Sequence, residues 1–85
     1  MKVGLSEHFR KRAKRLSSKE RVFLDERTLL FQENPNNPKL RNHPLTGKLK
    51  GYFAFSITRG KRVKYMWIEK DAVIFVDVGS HDDVC

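Results

Sequence analysis

The chain has 85 residues, a formal net charge of +8 and 39% hydrophobic residues, so we predict a single domain over residues 1–85. Six Phe, two Tyr and one Trp supply enough apolar volume for a modest core, which excludes wholesale disorder. The lone cysteine, Cys85, excludes a disulfide framework and a cysteine-rich zinc site. The longest apolar run, 72–76, is far too short to span a membrane. We therefore expect a cytoplasmic protein without membrane association.

The first third of the chain predicts a weak strand followed by two helices. Residues 2–5 are partly apolar, and Ser6 is a typical helix N-cap. One apolar stripe follows at helical spacing, formed by Phe9, Ala13 and Leu16. Ser17 and Glu20 have the spacing of a capping box, which predicts the start of a second helix. A short connection between two helices indicates an αα-hairpin.

The second half of the chain changes from helical to strand periodicity. Prolines and asparagines in 34–38 end the second helix. Alternating apolar residues then predict strands near 52–58 and 62–67, and the nearly all-apolar run 72–78 predicts a central strand covered on both faces. We therefore predict the α+β class, with the N-terminal αα-hairpin packed on one face of a twisted antiparallel β-sheet.

The positive charge is concentrated in the middle of the chain. Residues 34–68 contain no Asp or Glu, but they contain eight basic residues, namely Lys39, Arg41, Lys48, Lys50, Arg59, Lys61, Arg62 and Lys64. A solvated surface normally mixes both signs of charge. An acid-free basic segment instead predicts a polyanionic partner, with nucleic acid first and an acidic protein second.

Strand alternation assigns some of these residues to one surface. Arg62 and Lys64 lie on the same face of their strand, opposite the apolar positions. Lys48 and Lys50 precede the neighbouring strand and can join them. We predict that this surface binds phosphate groups.

Two histidines are candidates for chemistry. His43 lies in the loop before the first long strand, and His81 follows the last strand, so both can reach one end of the sheet. The alternative is that each is an ordinary loop histidine on the surface. Neither has the spacing of a metal site with its neighbours, so we expect no metal and no cofactor. Cys85 lacks any feature that would lower the pKa of its thiol and activate it as a nucleophile.

Three segments resemble the RelE/ParE superfamily of toxins, and especially its YafQ branch. The segment from His43 to Tyr52 is similar to their H-x-L-x-G-x-(W/L)-K-G-(Y/F) motif. Arg62-Val63-Lys64-Tyr65 resembles their R-(V/L)-x-Y strand. The segment from Val76 to Val84 resembles their D-I-G-T-H-x-x-(V/L) ending. The resemblance extends over nearly the whole chain.

This resemblance implies a microbial-RNase-like fold and the toxin half of a type II toxin–antitoxin pair. Such toxins cut mRNA on the ribosome, without a metal, and are silenced by an antitoxin, here expected to use an acidic segment. Carried over by position, His43 and His81 match catalytic histidines, and Arg62 matches the arginine that stabilises the scissile phosphate. The expected contacts to RNA or the ribosome are Lys48, Lys50, Arg59, Lys61 and Lys64.

Four positions depart from the resemblance, and two of them, Ser56 and Gly60, stand where the YafQ branch carries a further histidine and an aspartate. Phe53 stands where many relatives have arginine, and Cys85 stands where most have a terminal Tyr or Phe, so we expect weakened activity. Two alternatives stay open. One is a ParE-like gyrase inhibitor that cuts no RNA, and the other is a degenerate toxin that only binds RNA or an antitoxin. His81 favours the nuclease, because gyrase inhibition needs no acid–base pair.

Overall fold

The computed structural model describes residues 1–84. The expectations that rest on Cys85 therefore lie outside the described residues. In chain order the elements are β1 (Lys2–Leu5), α1 (Glu7–Ala13), α2 (Ser18–Glu33), β2 (His43–Pro44), β3 (Phe53–Ser56), β4 (Lys61–Glu69), β5 (Ala72–Ser80) and α3 (His81–Val84). Short 3-10 turns cover Pro38–Leu40 and Gly47–Leu49. The predicted α+β class is confirmed.

Both predicted helix starts are confirmed by their capping bonds. The Ser6 hydroxyl accepts a hydrogen bond from the Phe9 backbone N–H at 3.0 Å. In the capping box, the Glu20 N–H donates to Ser17 Oγ at 3.1 Å, and the Ser17 N–H donates to Glu20 Oε1 at 2.8 Å. These bonds satisfy backbone donors that have no partner inside a helix. They also fix where α1 and α2 begin.

The five strands form one mixed sheet in the order β1-β5-β4-β3-β2. The pairs β2–β3, β3–β4 and β4–β5 are antiparallel, as predicted, whereas β1 pairs with β5 in parallel. No tight hairpin joins β1 to β5, so local sequence signals do not set their relative direction. The strand at the centre is β4, and β5, predicted as the central strand, lies next to it.

The main core lies between the long helix and the sheet. Phe31 of α2 is fully buried. Its ring stacks on Phe55 at a centroid distance of 4.9 Å and meets Tyr65 edge-on at 4.8 Å. Aromatic pairs at these distances contribute beyond their buried area. This contact fixes the hairpin against the face of the sheet from which Val63 and Tyr65 project.

A second, smaller apolar cluster covers the opposite face. Val84 of α3 packs there with Leu45 and Ala54. This cluster explains why Ala54 and Phe55, which point to opposite faces of β3, are both fully buried. The short α3 therefore folds back over the face of the sheet that the helices α1 and α2 leave uncovered. None of the helices described in residues 1–84 is long and apolar enough to cross a membrane.

Candidate functional site

The strand register brings several predicted site residues to the α3 side of the sheet. Arg62 pairs with Ser56 on one side and Gly79 on the other, and Ala54 pairs with His43 and Lys64. Paired residues on neighbouring strands point to the same face. Because Val63 and Tyr65 enter the main core, their neighbours Arg62 and Lys64 project to the opposite face. His43 shares this face, which we call the α3 face.

The strand register sets the distances between the predicted catalytic residues. His43 lies two strands away from Arg62 across the sheet and two residues away along the strand direction. These displacements correspond to a Cα separation of roughly 12 Å. His81 comes two residues after Gly79, the partner of Arg62, so its Cα lies at most about 12 Å from that of Arg62. By the same register, His43 and His81 lie three strands and four residues apart, on opposite sides of Arg62. Their Cα atoms are therefore roughly 20 Å apart, and each histidine is nearer to Arg62 than to the other histidine.

The imidazole of His43 is oriented by a backbone carbonyl. Its Nδ1 lies 2.9 Å from the carbonyl oxygen of Arg41. A carbonyl only accepts hydrogen bonds, so this contact requires the proton on Nδ1. In the neutral ring, Nε2 is then an acceptor that is able to take a proton from a ligand. This geometry is that of a general base.

His81 is exposed at the first position of α3. The turn that carries it is fixed by Ser80, whose hydroxyl donates to Asp83 Oδ2 at 3.0 Å and accepts from the Asp83 N–H at 3.4 Å. The Ser80 hydroxyl, and to a smaller degree the Arg12 guanidinium, lowers the pKa of Asp83 below its ordinary value. The Asp83 carboxylate therefore stays charged and helps to hold the start of α3.

Arg12 connects α1 to the end of β5 and to α3, and sequence reasoning missed it. Its Nη2 lies 3.0 Å from Asp83 Oδ2, and its Nε lies 3.7 Å from Oδ1 of Asp77. Asp77 is buried and also contacts His8 Nε2 at 3.3 Å. The available signal was an aspartate inside an otherwise apolar strand, since a buried carboxylate needs a positive partner.

The remaining predicted contact residues are divided between two faces. On the α3 face, Lys64 Nζ lies 5.3 Å from the centre of the Tyr52 ring. Lys48 and Lys50 are exposed at the 3-10 turn before β3. Lys61 projects to the side of the helices, where its Nζ lies 4.0 Å from Glu20 Oε2. The structure therefore does not bring Lys61 together with the others.

A basic pocket of about 310 Å³ lies beside this face, where α2, the first 3-10 turn and the β3–β4 connection meet. Five of its lining residues are positively charged: Arg27, Lys39, Arg41, Arg59 and Arg62. Arg59 and Arg62 were predicted as site residues. Lys39 and Arg41 belong to the acid-free segment, but Arg27 lies in α2, where no sequence signal singled it out.

Phe53 takes a structural position in β3. Its ring stacks on Tyr65 at a centroid distance of 5.6 Å, and it packs against the main core. Phe53 therefore faces away from His43 and Arg62. The expectation that Phe53 weakens activity finds no support in this placement.

Among residues 1–84, no group of three side chains is arranged to hold a metal ion. The arrangement on the α3 face instead combines two imidazoles with a guanidinium and lysines. Such a set supplies proton transfer and anion binding.

No protein-family description and no curated protein matches this sequence. Solved structures do match over nearly the whole chain. YafQ from Escherichia coli strain BL21(DE3) has 23% identity and a TM-score of 0.77, covering 95% of this chain and 93% of its own. A YoeB/ParE toxin from Agrobacterium tumefaciens has 16% identity and a TM-score of 0.78, covering 95% and 99%.

The E. coli DinJ–YafQ complex also matches, with 21% identity and a TM-score of 0.70, over 96% of this chain and 94% of the other. At these identities the likeness establishes the fold. The fold expected from the sequence resemblance is thus confirmed: this chain has the fold of the RelE/ParE-superfamily toxins.

Proposed function

We propose that this protein is the toxin of a type II toxin–antitoxin pair and acts as a metal-independent, ribosome-dependent mRNA endoribonuclease. The observation that carries the proposal is that His43 and Arg62 share the α3 face, while His81 follows β5 on the other side of Arg62. The fold supports the same assignment, because several matching structures are described as toxins.

The proposed reaction needs only a base, an acid and a charge clamp. His43 Nε2 takes the proton from the ribose 2′-hydroxyl, since its Nδ1 proton is held by the Arg41 carbonyl. The 2′-oxygen attacks phosphorus, and the bond to the 5′-oxygen breaks. His81, in its protonated form, donates a proton to that 5′-oxygen. The products are a 2′,3′-cyclic phosphate and a 5′-hydroxyl end.

Arg62 stabilises the charge that develops on the phosphate. A guanidinium offers parallel N–H donors to the extra negative charge of the pentacovalent state, and such donors act most strongly when they are held in place beforehand. Lys64 lies on the same face, two residues further along β4. With Lys48, Lys50 and Arg59 it contacts the flanking RNA or the ribosome. Lys61 is a contact outside the α3 face.

The proposed protein partner is an antitoxin with an acidic segment. The chain carries a net charge of +8, which favours association with an acidic peptide as well as with RNA. The DinJ–YafQ complex shows that a protein of this fold is found as a toxin–antitoxin pair. We propose cytoplasmic action, because the substrate is mRNA on the ribosome.

Translating ribosomes programmed with a defined mRNA test this proposal in vitro. We expect cleavage with the wild-type protein and a loss of at least about 100-fold in rate for Arg62→Gln, since transition-state donors of this kind contribute about that much. The matched control is Arg10→Gln, which removes the same charge from exposed α1. Ribosome binding without cut mRNA would support a degenerate toxin. Absence of both ribosome binding and cleavage would support a gyrase inhibitor.

A further inference from the structure

The lining of the basic pocket carries positive charge without any acidic residue to balance it. Its five cationic residues lie around a volume of about 310 Å³, and no aspartate or glutamate is among its lining residues. Two hydroxyl groups, from Ser56 and Thr58, add further hydrogen-bonding capacity. Convergent like charges repel each other unless a counter-charge is present. The pocket is therefore prepared for an anion.

The protein itself neutralises little of this charge. Within residues 1–84, only Arg27 among the five has an ion pair, with the neighbouring Glu26 on α2. Lys39, Arg41, Arg59 and Arg62 have no carboxylate of the described chain within 4.0 Å. Four positive charges therefore remain available at a single depression. That number exceeds what one carboxylate would neutralise.

Arg62 supplies a more specific observation. Its Nε is buried and has no hydrogen-bond partner among residues 1–84. Leaving a buried donor unsatisfied is costly, and more so for a charged group. A guanidinium that retains an unused donor beside a cationic pocket is well suited to an oxyanion.

The backbone at the rim of the pocket is in an uncommon conformation. Arg41 has φ 50° and ψ 41°, in the left-handed region that residues other than glycine rarely adopt. Strained backbone of this kind concentrates at ligand sites. The Arg41 carbonyl also accepts the His43 contact. The pocket and the proposed general base are thus joined through one residue.

From these observations we infer that the basic pocket is a second phosphate-binding site that adjoins the proposed point of cleavage, with Arg62 at the boundary between the two. Neither His43 nor His81 is among the lining residues in the described chain, so a phosphate in the pocket is not the one between the two histidines. Its small volume fits a phosphate group rather than a peptide helix. In the proposed nuclease the ligand is an RNA phosphate that flanks the cut, but the site does not require cleavage.

Arginine side-chain NMR tests this inference directly. The Arg27 Nε–Hε resonance reports on a pocket residue that has no proposed role in cleavage. It is followed in the full chain during titration with inorganic pyrophosphate and, separately, with a single-stranded 2′-O-methyl RNA decamer. We expect a saturable shift with at least one of these ligands. A shift with RNA alone identifies a polynucleotide phosphate, and a shift with pyrophosphate alone identifies a free phosphate ligand.

Matched variants separate the pocket from general attraction to the basic protein. We expect Arg41→Gln to weaken binding of the responding ligand about tenfold, since a charge-assisted contact contributes about 1.5–3 kcal/mol. Arg10→Gln, which removes the same charge elsewhere, should change it by less than about twofold. The inference is overturned if the Arg27 resonance does not move with either ligand. Equal weakening by both variants would also overturn it. In a third titration, a resonance shift with polyglutamate that is larger than the shift with either phosphate ligand would overturn it too.

The 2′-O-methyl RNA lacks the nucleophile of the proposed reaction, so it is bound without being cut. Binding in the pocket with no cleavage of ordinary mRNA would reject the proposed nuclease and keep this site. Cleavage by a protein whose Arg27 resonance stays unmoved would reject the site and keep the nuclease.

Discussion

At Gly79 the backbone of β5 lies directly against the Arg12 side chain. A Cβ atom at this position would be 2.5 Å from Arg12 Nη2 and 3.2 Å from Asp83 Oδ2. Arg12 is flexible enough to move, but only by leaving the carboxylates of Asp77 and Asp83. The absence of a side chain at Gly79 therefore keeps α1, β5 and α3 connected.

We predict that Gly79→Ala lowers the free energy of unfolding by about 1–3 kcal/mol, because the buried Asp77 carboxylate loses part of its compensation. Urea denaturation measures the change. Gly60→Ala is the control, since a Cβ at Gly60 has no atom within 4 Å. Equal destabilisation by the two variants would contradict this role for Gly79.

We predict that titration of the Tyr65 hydroxyl destabilises the protein in alkali. Its buried hydroxyl donates to Asn42 Oδ1 at 2.8 Å, and burial raises the pKa of Tyr65 to about 12. The unfolded value is about 10, so the unfolded chain binds fewer protons between these values. The free energy of unfolding should therefore fall by about 2 kcal/mol as pH rises from 10 to 12.

Comparison with Tyr65→Phe isolates this titration from that of the lysines. The variant should be about 1 kcal/mol less stable at pH 7, because Asn42 Oδ1 loses its donor. From pH 10 to pH 12 it should lose less stability than the wild type. Parallel stability curves for the two proteins, measured by urea denaturation, would exclude Tyr65 as the titrating group.

At the scale of elements, α2 depends on its capping box. We predict that Ser17→Ala destabilises the protein by about 1 kcal/mol, because the Glu20 N–H loses its acceptor. Ser18→Ala is the control, since Ser18 lies inside the helix and makes no capping bond in the described structure. The urea midpoint should fall for Ser17→Ala only. A similar fall for both would mean that the box contributes little.

Local signals were sufficient to predict most elements. The Ser6 cap, the Ser17–Glu20 box and the alternation in β3 and β4 each depend on neighbouring residues, and the structure contains all of them. The parallel pairing of β1 with β5 joins residues about 70 positions apart. No local pattern encodes that direction, which is why a wholly antiparallel sheet was expected.

The candidate site was predictable to the same extent. Strand alternation correctly placed Arg62 and Lys64 opposite the main core. It also places Lys61 with the core-facing positions, although the charge count alone grouped Lys61 with the others. Arg12 and Arg27 belong to helices and reach the site only through tertiary packing. Periodicity within one element carries no information about such contacts.

At the scale of the whole molecule, the acid-free segment 34–68 supplies most of the predicted anion-binding side chains, and β5 brings the acidic Asp77 beside one of them, Lys64. The segment contributes Lys64 on the α3 face and the exposed Lys48 and Lys50 beside that face. It also contributes four of the five cations of the pocket, including Arg62. Only Arg27 comes from outside the segment. The acidic residues lie elsewhere in the chain. This separation of charge favours long polyanions over small ones.

Salt dependence measures how much of this region contacts RNA. For single strands, log K falls with log salt with a slope of about −0.7 per neutralised phosphate. The double variant Lys48→Gln/Lys50→Gln should reduce the slope for 2′-O-methyl RNA by about 1.4. The control variant Lys14→Gln/Lys19→Gln removes two exposed lysines near the connection between α1 and α2. It should leave the slope unchanged. The same reduction with both pairs would indicate binding without a defined surface.

The most direct test of the central claim is primer extension on a reporter mRNA after induction in growing cells. We compare the wild type with His43→Gln, His81→Gln and the control His8→Gln, which alters a histidine on exposed α1. We predict growth arrest and cuts at fixed positions within codons for the wild type and His8→Gln. For His43→Gln and His81→Gln we predict uncut message. Growth arrest with uncut message in all four strains would contradict it.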